Sequence, residues 1–278
     1  MTTLTINSIQ AFEGLGHTIE EYSIRLSPRF ATYRPHLILD LETKNYRLKT
    51  ATSLDELIGA FKLRHENFLQ DICETNEIYD VDEYDHRCDH LIIIDKESET
   101  IVGTYRVICS KFHHNFYSQS EFNLDNFLEK EGVKVELGRA CITAGHRNGN
   151  VIDLLWRGIG QYSMKVQADY LFGCSSVKIT EKQKAFDLCF YLKEKSLLED
   201  NFNIRPIGKF KMNFKGLEVE NPEQVKNLLP PLLKSYIVAG ASIEGLPALD
   251  NDFACIDFLT VLNLKEVSSG FKRRYFTK

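Results

Sequence analysis

No Cys-x-x-Cys pair occurs among the seven cysteines, which stand at 73, 88, 109, 141, 174, 189 and 255. Their number is odd and several sit inside apolar runs. They read as reduced, buried thiols of a cytoplasmic protein, not as a disulfide framework. No Gly-x-Ser-x-Gly elbow is present, so a Ser/His/Asp hydrolase fits poorly. Walker A and Rossmann glycine patterns are missing, which removes the usual nucleotide-binding classes. The opening MTTLTINSIQAFEGLGH has neither a basic start nor an apolar stretch, so no secretory signal is expected. No run approaches the roughly 18 apolar residues of a membrane span, and a membrane contact would have to be peripheral. Repeats and low-complexity tracts are also lacking. Excess positive charge is lacking too: the net charge is −5, which argues against non-specific nucleic-acid binding.

What remains is an ordinary globular composition, 43% hydrophobic and 26% charged over 278 residues, enough to bury a substantial core. Residues 1–46 are weakly periodic, broken by Pro28 and Pro35, and read as an extension that could cap a site. Ser53-Leu-Asp-Glu56 is a capping box, followed by an apolar stripe through Leu57, Phe61 and Phe68. Residues 71–88 form a long acidic loop. His90–Asp95 and Ile101–Cys109 read as a hairpin, Tyr117–Lys130 as irregular or helical, and Val133–Thr143 as the next strand. Asn150 is placed to cap a helix running to about Gln167. Tyr170–Ser176 is a buried strand, and 181–199 a further helix. Pro230 and Pro231 suit a helix start and Gly240 its stop. This order predicts an α+β fold, a mixed sheet with helices on its faces, whose strands 133–143 and 170–176 run parallel across a βαβ unit.

The segment VKVELGRACITAGHR carries the chemistry. Alternation sets Val135, Leu137, Arg139 and Cys141 on one face and Glu136 on the other. Glu136 and Arg139 share a face only if the strand is bulged, and Gly138 is where a bulge is tolerated. A bulge would free a backbone N–H as an oxyanion donor; without one the pair is an ion pair at a strand edge. The loop Thr143–Asn150 precedes a helix N-terminus, a natural phosphate site, or is a simple connection. Asp80, Asp82, Glu83, Asp85 and Asp89 could hold a cationic amine, or form a solvated acidic loop. They lack the spacing of a calcium or zinc site. Arg106, alone in an apolar strand, needs a partner and serves equally as salt bridge or substrate contact. Trp156 fits core better than cofactor platform. Gly158 and Gly160 lie mid-helix and suit close packing.

Taken together, Arg64…Phe68, Asp82-x-x-Asp85, Cys88-Asp-His-Leu91, Gly103-Thr-Tyr-Arg106 and Glu136-Leu-Gly-Arg139 resemble the acyl-homoserine-lactone-synthase branch of the GNAT-like N-acyltransferases. Leu154–Gly158, Tyr170–Cys174 and Leu229–Lys234 narrow the resemblance to the ornithine Nα-acyltransferases, over about residues 47–265. The resemblance implies a GNAT-like mixed, mostly antiparallel central sheet with helices on both faces. It implies an N-terminal extension 1–46, a core 47–215 and a C-terminal extension 216–278 packing on it. The implied donor is a 3-hydroxyacyl thioester on the phosphopantetheine arm of acyl carrier protein. The implied acceptor is an amino-acid α-amino group, ornithine above all, and the product an aminolipid precursor. No metal and no resident cofactor are implied.

On the same basis the catalytic candidates are Glu136 as general base, with Arg139, Asp82 and Asp85 holding the acceptor or ordering the loop through Arg64 and Arg106. The substrate-binding candidates are Arg64, Phe68, Arg106, Gly138, Ala140, Cys141, Arg147, Trp156, Ser175 and Ser176. Arg147-Asn-Gly149-Asn lacks a second glycine and so suits a carrier-bound donor better than free coenzyme A. Arg147, Arg157, Lys178, Lys182, Lys184 and Lys272–Arg274 are candidate contacts for the acidic carrier or for anionic lipid. An autoinducer synthase using S-adenosylmethionine, an N-acyl amino acid synthase with another acceptor, and a non-catalytic acyl-binding protein are the alternatives.

Overall fold

Local signals set the element ends. The Ser53 hydroxyl accepts the Glu56 N–H at 3.2 Å, and the Glu56 carboxylate accepts the Ser53 N–H at 3.3 Å. This reciprocal box starts the helix Leu54–Phe68. The helix Pro231–Ala239 begins on proline and stops at Gly240, whose φ of 105° only glycine adopts readily. The helix expected from Asn150 starts earlier, at Gly149, because Asn148 is its cap: the Asn148 side-chain oxygen accepts the N–H groups of Asn150 and Val151 at 3.1 and 3.2 Å. The helix expected over 181–199 covers Lys182–Glu194 and gives way to a short strand.

The computed structural model describes residues 18–70, 72 and 77–277. Its described helices are α1 Ile19–Leu26, α2 Pro28–Ala31, α3 Leu54–Phe68, α4 Asp125–Leu128, α5 Gly149–Val166, α6 Lys182–Glu194, α7 Pro222–Val225, α8 Pro231–Ala239 and α9 Ser269–Tyr275. Its strands are β1 Asp40–Glu42, β2 Tyr46–Thr50, β3 Asp89–Asp95, β4 Ile101–Cys109, β5 Phe122–Asn123, β6 Lys134–Ile142, β7 Tyr170–Val177, β8 Leu198–Glu199, β9 Arg205–Pro206, β10 Ser242–Asp250 and β11 Cys255–Asn263. Antiparallel pairs predominate. None of the described helices is long and apolar enough to cross a membrane.

The chain divides into two compact units. Unit one comprises the described residues of Met1–Arg106 with Arg139–Gly158. Its strand order is β1-β2-β3-β4-β6. Its core packs Leu57, Phe61 and Ile92 with Ile24, Phe30 and Tyr33 of the N-terminal segment. That segment also fastens the acidic loop, since Glu20 accepts the Ile78 N–H and Glu21 the Tyr79 hydroxyl. Mid-helix Gly158 does the packing job its position predicts: a Cβ there would sit 2.8 Å from Leu48.

Unit two comprises Val107–Gly138 with Ile159–Lys278. Its strand order is β6-β7-β11-β10-β8. The predicted parallel pair is present, with Lys134–Glu136 aligned to Tyr170–Phe172. The β10–β11 hairpin adds two strands that the sequence pattern does not announce, with β11 running antiparallel to β7. Its core joins Leu188 and Leu192 of α6 to Leu233 of α8 and to Ile243, Ile256 and Phe258 of the sheet.

Candidate active site

In unit one the acidic loop closes on three arginines. Arg64 lies on the buried face of α3 and is fully buried. A buried guanidinium needs acceptors for its fork of donors. Arg64 Nε donates to Asp80 at 2.9 Å, and its two terminal nitrogens donate to Asp85 at 2.7 and 3.1 Å. Arg106 of β4 donates to Asp82 at 2.5 Å and to Asp85 at 3.1 Å. Arg139 of β6 donates to Asp82 at 3.1 Å and pairs with Asp80 at 3.1 Å. Three guanidinium groups thus meet three carboxylates, and Arg106 also lies 5.6 Å over the Tyr84 ring. Asp82 and Asp85 are paired with arginines: Asp85 with Arg64 and Arg106, Asp82 with Arg106 and Arg139.

Burial disfavours a charged Asp85, but Arg64 and Arg106 override it and hold its carboxyl far below the usual carboxylate range. Asp80 is lowered against the same penalty by Arg64 and Arg139. Burial pushes His90 down, so its ring is neutral, with Nε2 2.9 Å from the Asp85 carbonyl oxygen. Asp85, Cys88 and His90 come close enough together for a cation. They do not fit one: both Asp85 oxygens are engaged by arginine, and burial pushes the Cys88 thiol up.

The strand carrying Arg139 is irregular where an irregularity was expected, but one residue later. Arg139, not Gly138, takes the left-handed conformation, with φ 52°. A non-glycine residue there stores on the order of 1 kcal/mol of strain, which its two ion pairs can hold. A Cβ at Gly138 would meet nothing within 4 Å. Ala140 is half-buried, and Cys141 is buried with its thiol pushed up to about 12 by that burial. Phe68 is half-buried at the end of α3, and Trp156 is 2% exposed on α5. Arg147 is exposed and donates to the Ile142 carbonyl and to Asn67.

In unit two Glu136 is buried on β6. One of its oxygens accepts the Tyr117 N–H and the other the Ser118 N–H, both at 2.7 Å. It thereby anchors the turn Tyr117–Ser120. Two main-chain donors favour the charged form and weaken a carboxylate as a base. Because Glu136 aligns with Phe172, alternation places Phe172, Cys174 and Ser176 on its face. Ser176 aligns with Asp257, and Cys255 with Asp250, so these acids share that face too. Ser175 is on the opposite face, where it accepts the Thr260 hydroxyl at 2.8 Å. The substrate-binding candidates Ser175 and Ser176 are therefore separated by the sheet.

Glu121, Asp250 and Asp257 meet on this face, with one oxygen of each within 4.8 Å of the others. Ser176 donates to Asp257 at 2.6 Å. Cys174 approaches Ser118 at 3.3 Å and Glu121 at 3.5 Å. Burial, then the charges of Asp257 and Asp250, push the Glu121 carboxyl up to about 9, against hydrogen bonds from Tyr117 and Cys174. Burial and Glu121 together push the Cys174 thiol up, which leaves it a poor nucleophile. Sequence reasoning missed this group, since its members lie far apart and match no motif. The one available signal is Asp257, an acid inside the apolar run Cys255–Asn263.

A family model described as an acetyltransferase (GNAT) domain matches residues 63–157. An L-ornithine N(alpha)-acyltransferase of Rhizobium meliloti is 30% identical over 250 residues, covering 83% of this chain and 84% of that one. A second, from Agrobacterium fabrum, is 26% identical over 281 residues, covering 95% and 96%. The crystal structure of the AHL synthase LasI overlays with a TM-score of 0.47 at 13% identity, covering 83% of this chain and 93% of that one. That likeness is too loose to carry an argument, but the first relative is alike across most of both chains. The chain is therefore an acyltransferase of GNAT-like α+β fold and belongs to the L-ornithine N(alpha)-acyltransferase family.

Proposed function

We propose that the chain moves a fatty acyl group, typically 3-hydroxylated, from the thioester of acyl carrier protein to the α-amino group of ornithine. The product is an amide-linked monoacyl aminolipid, the substrate for a later O-acylation in ornithine-lipid synthesis. The observation that carries this reading is the family membership across most of the chain. The acid-lined face of unit two supports it, because an amine acceptor calls for carboxylates.

The neutral amine attacks the thioester carbonyl, a C–N bond forms, the C–S bond breaks, and the leaving thiolate takes up the proton that the nitrogen sheds, which releases the carrier thiol. The amine's proton must go to a base, since an α-amino group with a pKa near 8 is largely protonated at neutral pH. Glu136 is the proposed acceptor, directly or through one water. To act so it must loosen one of its two N–H bonds, and the Tyr117–Ser120 turn must shift with it. A main-chain N–H in the Gly138–Ala140 kink is the proposed oxyanion donor, an effect of about 3 kcal/mol for one bond. The Arg–Asp cluster of unit one orders its own loop, with Asp82 and Arg139 its least buried members. No cysteine is needed as a nucleophile.

Lys182 and Lys184 of α6 and Lys272–Arg274 of α9 are the proposed carrier contacts. The test is lipid mass spectrometry of a heterologous host expressing the chain, with Glu136→Gln alongside. Acylated ornithine should accumulate with the wild type and fall by about 10²-fold or more with the variant. A headgroup fragment of another amino acid would replace ornithine as the acceptor, and near-wild-type yield from Glu136→Gln would remove Glu136 as base.

A further inference from the structure

Glu121 is fully buried, and its Oε1 has no hydrogen-bond partner. An orphaned buried oxygen is costly, so it should have a use. It belongs to the group of three carboxylates with Asp250 and Asp257. Glu121 and Asp250 enter no ion pair with arginine or lysine among the described residues. Lys209 acts on them only at a distance and is itself exposed and paired with Asp252 at 2.6 Å. Ser176, which donates to Asp257, is exposed, and Cys174, beside Glu121, is half-buried.

We propose that Glu121, Asp250 and Asp257 form the subsite for the side-chain ammonium of the acceptor amino acid. The assignment rests on the reading of the chain as an ornithine N-acyltransferase. An ammonium presents three N–H donors, and three carboxylate oxygens within 4.8 Å of one another can each receive one. A hard divalent cation would demand six or so oxygen ligands, whereas much of this group's capacity is already spent. Asp250 accepts the N–H groups of Asp252 and Phe253, and Asp257 accepts from Ser176 and Cys255. The layout also suits a diamino acid. Glu136 on β6 and Asp257 on β11 share a face two strands apart, about 10 Å at the usual strand spacing. Carboxylates reaching inward from both would hold an α-amino group at one end and a side-chain ammonium at the other.

The discriminating probe is norvaline, which keeps the carbon skeleton of ornithine but lacks the terminal nitrogen. The full chain is assayed with a 3-hydroxyacyl carrier-protein thioester and each amino acid. Wild type should favour ornithine by about 100-fold or more in kcat/KM, because a buried site built for a polar group rejects the analogue without it. Glu121→Gln and, separately, Asp257→Asn should cut that preference at least about tenfold, chiefly through KM for ornithine. Ornithine alone should raise the melting temperature of the wild type but not of Glu121→Gln, and norvaline should raise neither.

Unchanged selectivity in both variants, with product still forming, overturns the subsite while sparing the acyltransferase reading. An EDTA-reversible rise in melting temperature of the wild type with Mg2+, Ca2+ or Mn2+, lost in Glu121→Gln, overturns it in favour of a metal. A melting shift with ornithine, lost in Glu121→Gln but with no acylated product from any amino acid, sinks the acyl-transfer reading and upholds the subsite.

Discussion

The two charge clusters of this protein follow opposite rules. In unit one Asp80, Asp82 and Asp85 are each in contact with two guanidinium groups. In unit two Glu121 keeps a buried oxygen with no partner, beside two further carboxylates. Burial penalises charge in both places. Arginines reverse the penalty at Asp85 and drive its pKa down, while neighbouring acids add to it at Glu121 and drive the pKa up to about 9. The neutralised cluster orders its loop, and the acid-rich one is the proposed ammonium subsite. The sign of the shift tells them apart.

The largest effect should come from opening the neutralised cluster. Arg64→Met leaves Asp80 and Asp85 buried with one guanidinium fewer and should cost about 3–5 kcal/mol in chemical denaturation. A loss below about 1 kcal/mol would show that the cluster does not hold unit one together. The pH dependence of stability should then separate the clusters by sign. Asp85 has a lowered folded pKa, so its contribution is present above the unfolded value of about 3.8 and is lost as pH falls towards the folded one. Glu121 has a raised folded pKa. Between about 4.5 and 9 the folded chain keeps a proton that the unfolded chain releases, so stability falls as pH rises. Without substrate, Glu121→Gln should flatten that fall and melt higher than wild type at pH 8. A wild-type curve flat over that interval would break the comparison.

Next in size is Gly138→Val. Open space lies beside Gly138, so the fold should tolerate the side chain within about 1 kcal/mol. Turnover should drop at least about tenfold if the acyl carbonyl approaches the neighbouring kink, since small misplacements there are costly. Smallest is Ser53→Ala, a lost helix cap worth about 1 kcal/mol and no change in acceptor preference. It sets the scale of a purely structural lesion.

What could be read in the sequence follows how local its physics is. The capping box at Ser53, the hairpin before Arg106 and the parallel alignment of β6 with β7 depend on spacing within a few tens of residues, and all are present. α5 starts at Gly149, ahead of the start that Asn150 suggests, because Asn148 and Asn150 are equally good caps on paper and Asn148 is the one used. The β10–β11 hairpin was illegible for a different reason. Residues Cys255–Leu262 are buried on both faces and show no alternation, and β10 is interrupted by Gly245 at φ 70°. The Arg–Asp cluster was half visible, because Arg106 alone in an apolar strand advertises a buried charge. Glu121 advertised nothing, since its partners come from strands more than a hundred residues away.

Gly160 bears on the proposed docking of an acidic carrier. The Tyr275 carbonyl lies so close to Gly160 that a Cβ could not fit, and Tyr275 itself is 8% exposed. The basic triplet Lys272–Arg274 is therefore no loose tether. It is mounted on a helix bolted through its last residue to α5, so its charges form a surface of fixed shape that can select a docking pose as well as attract. Adding a side chain at position 160 should unbolt that mount and weaken the proposed carrier docking before it harms the chemistry.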